Sequence, residues 1–346
     1  MPTPPSILGW DIGGVNTKVA RLEAGRDGPV VRSTCLPYEI KHDPAALVLR
    51  LVQAAKKIRG EAGHSHAITM TAELSQAFRT KHEGVGFILD AMQAAFPGDQ
   101  LHVYSVDGRF VTPGEARALP LAVGAANWAA TASLVARWFP TCVLVDIGST
   151  TSDLVPIVNG RVVAEGLTDP ARLLSGELVY TGALRTPVEA VAHQVPLWGG
   201  NAGVAADGFA IVGDAHLWLG RIQAGDYTCP TPDGRPPTRD SAGDRLARVV
   251  CGDRDMLDDS VVDGIAAALA RAQVQTVARS LERILQRWPL ISAAVVTGLG
   301  DFIAVEAATA VGLEVIPLAD RLGQAARTAP AAAVAWLLWY DMASVA

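Results

Sequence analysis

Residues 143–157, with the sequence VLVDIGSTTSDLVPI, decide how the fold of this chain is interpreted. A short apolar run ends at the carboxylate of Asp146, and a turn with Gly148 and four consecutive hydroxyl residues leads into a second apolar run. This order predicts a strand, a hairpin turn and another strand. Glycine lets a backbone direct its amide groups toward a ligand, and hydroxyls donate hydrogen bonds to phosphate oxygens. This copy alone indicates a phosphate-binding hairpin or, with equal weight, a structural hairpin with a polar turn.

A second stretch with the same layout favours the phosphate-binding interpretation. Residues 7–20 read ILGWDIGGVNTKVA and again place an Asp-Ile-Gly triplet and a polar turn between two apolar runs. The triplets begin at Asp11 and Asp146, about 135 residues apart, which is a reasonable length for one domain. A duplicated α/β domain, with one phosphate-binding hairpin in each half, explains both copies.

Composition restricts the function classes. The 346 residues suffice for two domains or one large domain, and a hydrophobic content of 50% provides a sizeable core. The net charge is only −6 and no basic stripe is present, so nucleic-acid binding is not expected. The four cysteines form no C-x-x-C pair, which indicates reduced thiols in a cytoplasmic protein. His64 and His66 have no third ligand near them in sequence, so zinc is not expected there.

Two segments bear on location. Residues 1–6 lack the basic region and the apolar core of a signal peptide. Ala118–Ala136 is uncharged and long enough for a membrane span, but it contains Pro120 and Gly124, so a buried helix is the preferred interpretation. We therefore expect a cytoplasmic protein without a membrane span.

Strands alternate with helices along the chain, which predicts α/β sheets. Asn159-Gly160 marks a hairpin turn, Thr186 is expected to cap a helix that starts at Pro187, and residues 225–241 are expected to form an irregular loop. Besides the two hairpins, the predicted strands are Val30–Leu36, Ala67–Thr71, Leu101–Ser105 and Ala293–Thr297, and the predicted helices are Pro44–Arg59, Glu83–Phe96, Leu121–Phe139, Asp207–Gly220, Ser260–Trp288 and Pro330–Met342.

Two further features point to ligand binding. Gly298 and Gly300 follow a predicted strand, where glycines allow a flat ligand or a phosphate to approach closely, with a plain turn as the alternative. Arg185 is suited to bidentate binding of a phosphate or carboxylate, with an ordinary surface arginine as the equal alternative.

With both hairpins and the late glycine turn, the chain resembles the superfamily of actin, sugar kinases and heat-shock chaperones. Residues 11–18 look like its first phosphate motif, residues 146–153 like its second, and residues 296–300 like its adenosine motif. The resemblance implies duplicated actin-like (ribonuclease H-like) α/β domains, forming two lobes around a central cleft. It implies an N-terminal lobe with a crossing helix over residues 1–139, a C-terminal lobe with an insertion over residues 140–329, and a helix over residues 330–346 that packs back on the first lobe.

Three sequence blocks resemble the hydantoinase A/oxoprolinase-like branch, in particular proteins linked to tetrahydromethanopterin-dependent one-carbon transfer. They are Met-Thr-Ala-Glu-Leu at residues 70–74, Ser-Gly-Glu-Leu-Val-Tyr-Thr-Gly at residues 175–182 and Arg-Thr-Pro at residues 185–187. One departure is Ser149, where hydantoinase-type second motifs usually carry glycine.

This resemblance implies a transferase of methanofuran or methylofuran biosynthesis. Characterised archaeal relatives join an aminomethyl-furanmethanol diphosphate to the phenol of γ-glutamyltyramine, forming an aryl ether and releasing diphosphate. The alternatives are an ATP-dependent small-molecule kinase or a hydantoinase/oxoprolinase-like hydrolase, and a non-catalytic nucleotide-binding scaffold.

The implied site follows from these motifs. Asp11 and Asp146 are expected to anchor Mg²⁺ through water, and ATP binding is left open. Glu73, Glu177 and Asp214 are the candidate bases for the phenol, together with Asp146 as a catalytic residue. The expected partners are a diphosphate substrate and a phenolic amine, without nucleic acid or membrane; a homo-oligomer is left open. The residues expected to bind phosphate are Asp11, Gly13, Gly14, Asn16, Thr17, Lys18, Gly148, Ser149, Thr150, Thr151, Arg185, Gly298 and Gly300.

Overall fold

A computed structural model describes residues 6–26, 28–58 and 65–345. The chain divides into two compact units, each of which is described by itself. Unit 1 comprises Met1–Leu144, Val155–Arg172 and Ile316–Ala346, and unit 2 comprises Val145–Leu154 and Leu173–Val315. The domain boundaries predicted at residues 139 and 329 stay predictions. His64, Arg59 and residues 1–5 lie outside the described residues, and with them the His64–His66 pair and most of the N-terminal segment.

The order of elements in the described residues follows the predicted alternation. The strands are β1 (Ile7–Ile12), β2 (Asn16–Gly25), β3 (Gly28–Pro37), β4 (Ser65–Met70), β5 (Gln100–Tyr104), β6 (Phe110–Val111), β7 (Cys142–Ile147), β8 (Ser152–Val158), β9 (Arg161–Val162), β10 (Leu178–Val179), β11 (Gln194–Leu197), β12 (Gly200–Gly203), β13 (Ala293–Gly298) and β14 (Glu314–Pro317). The α-helices are α1 (Leu47–Ile58), α2 (Lys81–Ala95), α3 (Pro113–Ala118), α4 (Pro120–Val123), α5 (Asn127–Trp138), α6 (Asp169–Ser175), α7 (Val212–Trp218), α8 (Arg239–Arg248), α9 (Asp259–Arg287), α10 (Asp301–Ala310), α11 (Ala319–Leu322) and α12 (Ala329–Val345). Short 3₁₀ helices cover Pro44–Ala46, Ala72–Leu74, Val188–Ala190, Ala224–Asp226 and Gly323–Thr328.

The first sheet has the strand order β3-β2-β1-β4-β5-β6. Strands β1, β2 and β3 pair antiparallel, whereas β4 is parallel to both β1 and β5. Asp11 lies in β1 with Lys18 beside it on β2 and Thr69 beside it on β4. Residues paired across strands point to the same face of a sheet, so these three side chains share one face.

The second sheet repeats this order. Its strands follow the sequence β10-β8-β7-β13-β14, and β9 also pairs with β8. Strand β7 therefore lies between its hairpin partner β8 and the much later β13, as β1 lies between β2 and β4. The repeat confirms the predicted fold class of duplicated actin-like α/β domains.

Two core layers hold the first sheet in place. On one face, Trp10 and Ile68 pack with the buried residues of α1 and α2. On the other face α12 lies directly on β1, because a Cβ atom at Gly9 would stand 2.0 Å from the carbonyl oxygen of Ala331. The predicted C-terminal apolar helix is thus a core element of unit 1.

The predicted helix Leu121–Phe139 is wrong as one element. Pro120 starts the short helix α4 and Gly124 ends it, and Ala125 follows with a φ of 54°. The amide of Ala125 donates to the carbonyl of Met70 at the end of β4. This bond bends the chain before α5 begins. Among the described residues, none of the helices combines the length and the apolar content that a membrane crossing requires.

Three local predictions are corrected. The helix predicted from Asp207 begins only at Val212, because residues 210 and 211 pair with residues 187 and 188 first. Pro187 precedes a 3₁₀ helix with an extended ψ of 138°, so it is not the first helical residue, and Thr186 does not cap that helix. The predicted loop over residues 225–241 contains a 3₁₀ turn and ends at Arg239, where α8 starts. The Asn159-Gly160 turn is confirmed, with φ values of 52° and 73°.

Candidate functional site

The second hairpin turn, in unit 2, has the backbone orientation of an anion-binding loop. The amide of Gly148 donates a hydrogen bond of 2.9 Å to the carbonyl of Thr151, which closes the turn. The carbonyl of Gly148 accepts from Ala183 N at 2.8 Å, and that of Ser149 accepts from the amides of residues 184 and 185 at 3.1 and 3.0 Å. In a planar trans peptide the N–H points opposite to the C=O. The N–H groups of Ser149 and Thr150 therefore point away from residues 183–185, as a phosphate-binding loop requires.

Three glycines allow neighbouring segments to pack against this loop. A Cβ atom at Gly182 would stand 2.5 Å from Thr150 N, and one at Gly298 would stand 2.7 Å from Oδ1 of Asp146. A Cβ atom at Gly300 would stand 2.5 Å from the Ile147 side chain. The sequence-predicted Asp146, Gly148–Thr151, Arg185, Gly298 and Gly300 are thus brought together, and Gly182 joins them. The two late glycines give close backbone packing here, and their phosphate-binding role stays a prediction.

A buried polar network lies behind Gly182. Nε2 of Gln273 on α9 donates to Thr181 Oγ1 and to the carbonyl of Gly182, each at 2.8 Å. Thr181 and Thr186 share a hydrogen bond of 3.0 Å between their hydroxyls. Oε1 of Gln273 lies 2.8 Å from Nε2 of His216. Sequence reasoning missed Gln273 because the helical pattern of α9 marks only its apolar positions.

Asp214, a predicted base, is held by several donors at once. Its Oδ1 accepts from Arg245 Nε at 2.9 Å, from Arg245 Nη2 at 2.7 Å and from the Tyr227 hydroxyl at 2.9 Å. Its Oδ2 accepts from the amide of Ile211 at the start of α7. Both Asp214 and Arg245 are fully buried. Burial raises the pKa of Asp214, opposed by Arg245. The base role stays a prediction, but both oxygens of this carboxylate already accept hydrogen bonds.

Glu177, a second predicted base, lies in a segment that α9 holds from one side. Its carboxylate is fully buried, and its Oε1 lies 3.5 Å from Nη2 of Arg287. Arg287 also donates to the carbonyl of Ser175 at 2.8 Å, and Arg283 donates to that of Leu174 at 2.9 Å. The backbone carbonyl of Glu177 accepts from Leu154 N on β8. These contacts suit a structural carboxylate, and its base role also stays a prediction.

The first hairpin turn, in unit 1, presents a partly satisfied carboxylate. Asp11 is buried, and its Oδ2 lies 2.9 Å from Nζ of Lys18. Among the described residues, neither Oδ1 of Asp11 nor the hydroxyl of Thr69 has a hydrogen-bond partner. Buried acceptors without partners are unusual. This side of Asp11 is therefore suited to a cation or a water shell.

The turn that follows Asp11 is tightly closed. The amide of Gly13 donates to the carbonyl of Asn16 at 2.9 Å, and a Cβ atom at Gly13 would stand 2.8 Å from that oxygen. The carbonyl of Gly14 accepts from Ile40 N. Asn16 Oδ1 and Thr17 Oγ1 are buried without partners in the described part of the chain. The predicted residues of the first motif therefore lie together on one turn.

Glu73, the third predicted base, is the most perturbed carboxylate of unit 1. It follows β4 in a 3₁₀ turn. Its backbone lies so close to Gly84 that a Cβ atom on Gly84 would stand 2.4 Å from the carbonyl oxygen of Glu73. Lys81 Nζ lies 3.2 Å from its Oε1 but only 2.7 Å from Asp169. Neither oxygen of Glu73 accepts a well-aligned hydrogen bond from the described residues. Burial raises the pKa of Glu73 to about 7, although Lys81 opposes this.

His66 belongs to the buried core of unit 1. Its Nδ1 accepts from the indole N–H of Trp10 at 2.9 Å, and its Nε2 lies 2.9 Å from a carboxylate oxygen of Asp99. Its ring stacks on Trp10 and Phe96 in the core of unit 1. A structural role accounts for this histidine.

Comparison with known proteins adds three findings. A family model described as hydantoinase/oxoprolinase matches residues 64–340. The chain is 38% identical over 302 residues to a protein of Methanocaldococcus jannaschii, and this match covers 87% of this chain and 88% of that protein. A protein of Methanococcus vannielii is 34% identical over 166 residues, covering 48% of this chain and 74% of that protein. Both relatives are named (4-{4-[2-(gamma-L-glutamylamino)ethyl]phenoxymethyl}furan-2-yl)methanamine synthase.

One solved structure supports the fold. The nucleotide-free structure of acetone carboxylase superposes with a TM-score of 0.51 over 95% of this chain and 70% of that chain. The sequences are only 13% identical, so this likeness concerns the fold alone.

Proposed function

The chain belongs to the hydantoinase/oxoprolinase family, and on this premise we propose that it is a synthase of methanofuran or methylofuran biosynthesis. It joins the phenol of tyramine or γ-glutamyltyramine to an aminomethyl-furanmethanol diphosphate and releases diphosphate. The observation that carries the proposal is the 38% identity to the M. jannaschii synthase, which extends over nearly all of both chains. The name of that synthase describes an aryl ether between a phenol and the methylene carbon on position 4 of a furan ring.

The reaction requires two charge movements. The bond between the furan methylene carbon and the diphosphate oxygen breaks, and the diphosphate leaves with the electron pair. The phenol oxygen forms the new bond to that carbon and gives up its proton. A furan ring stabilises positive charge on an attached methylene carbon, so stabilising the leaving diphosphate is expected to lower most of the barrier.

We assign the leaving group to the phosphate loop of unit 2. The outward N–H groups of Ser149 and Thr150 and the hydroxyls of this loop are donors suited to diphosphate oxygens. Arg185 follows directly on the segment that holds the loop, and its own amide donates to Ser149. The turn of the first motif, with Lys18, is proposed to bind phosphate as well.

The donor set fits a diphosphate-bound Mg²⁺. Within the described residues no three His, Cys, Asp or Glu side chains group into a metal cage, and Mg²⁺ normally takes one or two carboxylates together with substrate phosphates and water. In unit 1, Asp11 would bind Mg²⁺ through its Oδ1, which lacks a partner in the described structure, and in unit 2 Asp146 is proposed as a carboxylate that binds Mg²⁺. When bound, Mg²⁺ would neutralise charge that develops on the departing diphosphate.

Glu73 is the best-supported base for the phenol. Its pKa of about 7 is close to a neutral working pH, and a general base works best when its pKa is near that pH. A phenol with a reference pKa near ~10 is then deprotonated as its oxygen forms the ether bond. Lys81 is placed to stabilise the carboxylate before transfer, and Asp169 anchors that ammonium group.

The test is a reaction without nucleotide. Purified protein is incubated with the aminomethyl-furanmethanol diphosphate, γ-glutamyltyramine or tyramine, and Mg²⁺, and ether and diphosphate are quantified by mass spectrometry and a coupled phosphate assay. The proposal expects the two products in equal amounts. Turnover only with ATP would support a kinase or hydrolase instead, and nucleotide binding without turnover would support a scaffold. We place this reaction in the cytoplasm, as the thiol usage predicts.

A further inference from the structure

Gln273 makes contacts that the proposed reaction does not yet use. It lies in the middle of α9 and is fully buried. Both hydrogens of its amide are donated, one to Thr181 Oγ1 and one to the carbonyl of Gly182. A buried amide that satisfies a backbone carbonyl and a hydroxyl at once fixes both in position.

The orientation of this amide is set by its partners. The carbonyl of Gly182 can only accept, so the NH₂ end of Gln273 must face it. The Oε1 end then faces His216, whose Nε2 must carry the hydrogen for the 2.8 Å contact. Burial lowers the pKa of His216 to about 4, which keeps this ring neutral at working pH. The network therefore has one stable arrangement of hydrogens between His216 and Gly182.

The fixed carbonyl lies directly behind the phosphate loop. Gly182 contacts the peptide between Ser149 and Thr150 so closely that no Cβ atom fits. The next residue, Ala183, donates its amide to the carbonyl of Gly148. A displacement of Gly182 would rotate these loop peptides, and with them the N–H groups of Ser149 and Thr150.

We propose that Gln273 is a positioning residue of the phosphate loop, which holds Gly182 so that the loop amides keep the orientation for a diphosphate group. The residue acts through Gly182 and the loop backbone and does not touch the substrate. The inference rests on the proposed function only for the identity of the ligand, since the loop geometry is common to any diphosphate-bearing molecule.

The experiment compares paired variants. Gln273→Met keeps the length of the side chain and removes both donors. Thr181→Val removes the Thr181 hydroxyl that accepts from Gln273, whereas Thr181→Ser keeps a hydroxyl at this position. Thr276→Val, on the same helix, serves as the control, because it removes a hydroxyl that donates to the carbonyl of Ala272 and accepts from Arg279 and has no bond to Gln273, Thr181 or Gly182 in the described structure.

The direct readout is the affinity of full-length protein for inorganic diphosphate with Mg²⁺, measured by calorimetry and accompanied by a thermal melt. We expect Gln273→Met and Thr181→Val to weaken binding by about tenfold or more, as misplaced charge-assisted contacts do. Thr181→Ser and Thr276→Val should bind within about twofold of wild type. In steady-state synthesis, the KM for the aminomethyl-furanmethanol diphosphate should rise more than the KM for the phenol.

The outcomes separate the two proposals. Unchanged diphosphate affinity in a folded Gln273→Met protein overturns the positioning role, and so does a wild type that does not bind diphosphate. If wild type binds diphosphate but forms no ether, the proposed function is wrong, and weaker binding by the variants still supports the positioning role. If Gln273→Met does not fold, the comparison of Thr181→Val with Thr181→Ser decides.

Discussion

Replacing Glu73 by glutamine should change how the stability of the protein depends on pH. The carboxylate is buried, and burial raises its pKa from 4.5 to about 7 in the folded protein. The folded protein therefore binds more protons than the unfolded chain between these two pH values. Stability from this group is fully present below pH 4.5 and is lost as the pH rises through about 7. Glutamine does not titrate, so Glu73→Gln removes this loss.

The size of the effect follows from the two pKa values. A difference of about 2.5 pH units corresponds to about 3 kcal/mol of unfolding free energy. Between pH 4.5 and pH 8, Glu73→Gln should therefore gain about 3 kcal/mol relative to wild type. Lys81 opposes the raised pKa, so Lys81→Met should move the midpoint of this change above pH 7.

Urea unfolding followed by circular dichroism at pH 4.5, 6, 7 and 8 measures this difference. Activity is measured on the same proteins without urea at the same pH values. It should rise with pH through about 7 in wild type and be lost in Glu73→Gln. A stability difference between the two proteins that does not vary with pH would show that Glu73 is not a perturbed carboxylate. If the stability of Glu73→Gln relative to wild type fell with rising pH, the predicted direction of the effect would be wrong.

Three other substitutions test the architecture of unit 2. Gly182→Ala places a Cβ atom 2.5 Å from Thr150 N, so it should cost about 1–3 kcal/mol of stability and weaken diphosphate binding, as denaturation and calorimetry will show. Asp214→Asn removes the fully buried partner of Arg245 and leaves that guanidinium only Asp233 at 3.0 Å, so it should cost about 3 kcal/mol, while kcat of the folded fraction stays unchanged; a selective loss of kcat would favour the base role. The pKa of His216 is lowered from 6.5 to about 4. This group therefore contributes about 3 kcal/mol to the free energy of unfolding above pH 6.5, and that contribution is lost as the pH falls through 4. His216→Gln should flatten that part of an acid denaturation curve.

The fold could be predicted from two short repeated motifs because each motif depends only on neighbouring residues. The two Asp-Ile-Gly hairpins require strands on both sides of a tight turn, and that requirement is visible in about fifteen residues. The order of strands follows from the repeat, since β7 takes the place in its sheet that β1 takes in the first. The break between α4 and α5 was missed because it depends on a distant contact, the bond from Ala125 to Met70.

The site was predictable in part for the same reason. Asp146, Gly148 and Arg185 are marked by motif and chemistry, and the structure brings them together. The partners of Asp214 were not predictable, because Arg245 lies 31 residues away and no spacing rule links them. Burial decides between equivalent carboxylates, and sequence alone does not give burial for Glu73 or Glu177.

The central claim is that the loop beginning at Asp146 takes up a departing diphosphate without nucleotide. The most direct measurement follows the formation of ether and diphosphate from the aminomethyl-furanmethanol diphosphate and the phenol, in ATP-free buffer, for wild type and Asp146→Ala. We predict equal amounts of both products with wild type, and no turnover by a folded Asp146→Ala protein. Product formation that requires ATP, or full activity in the variant, would contradict the account.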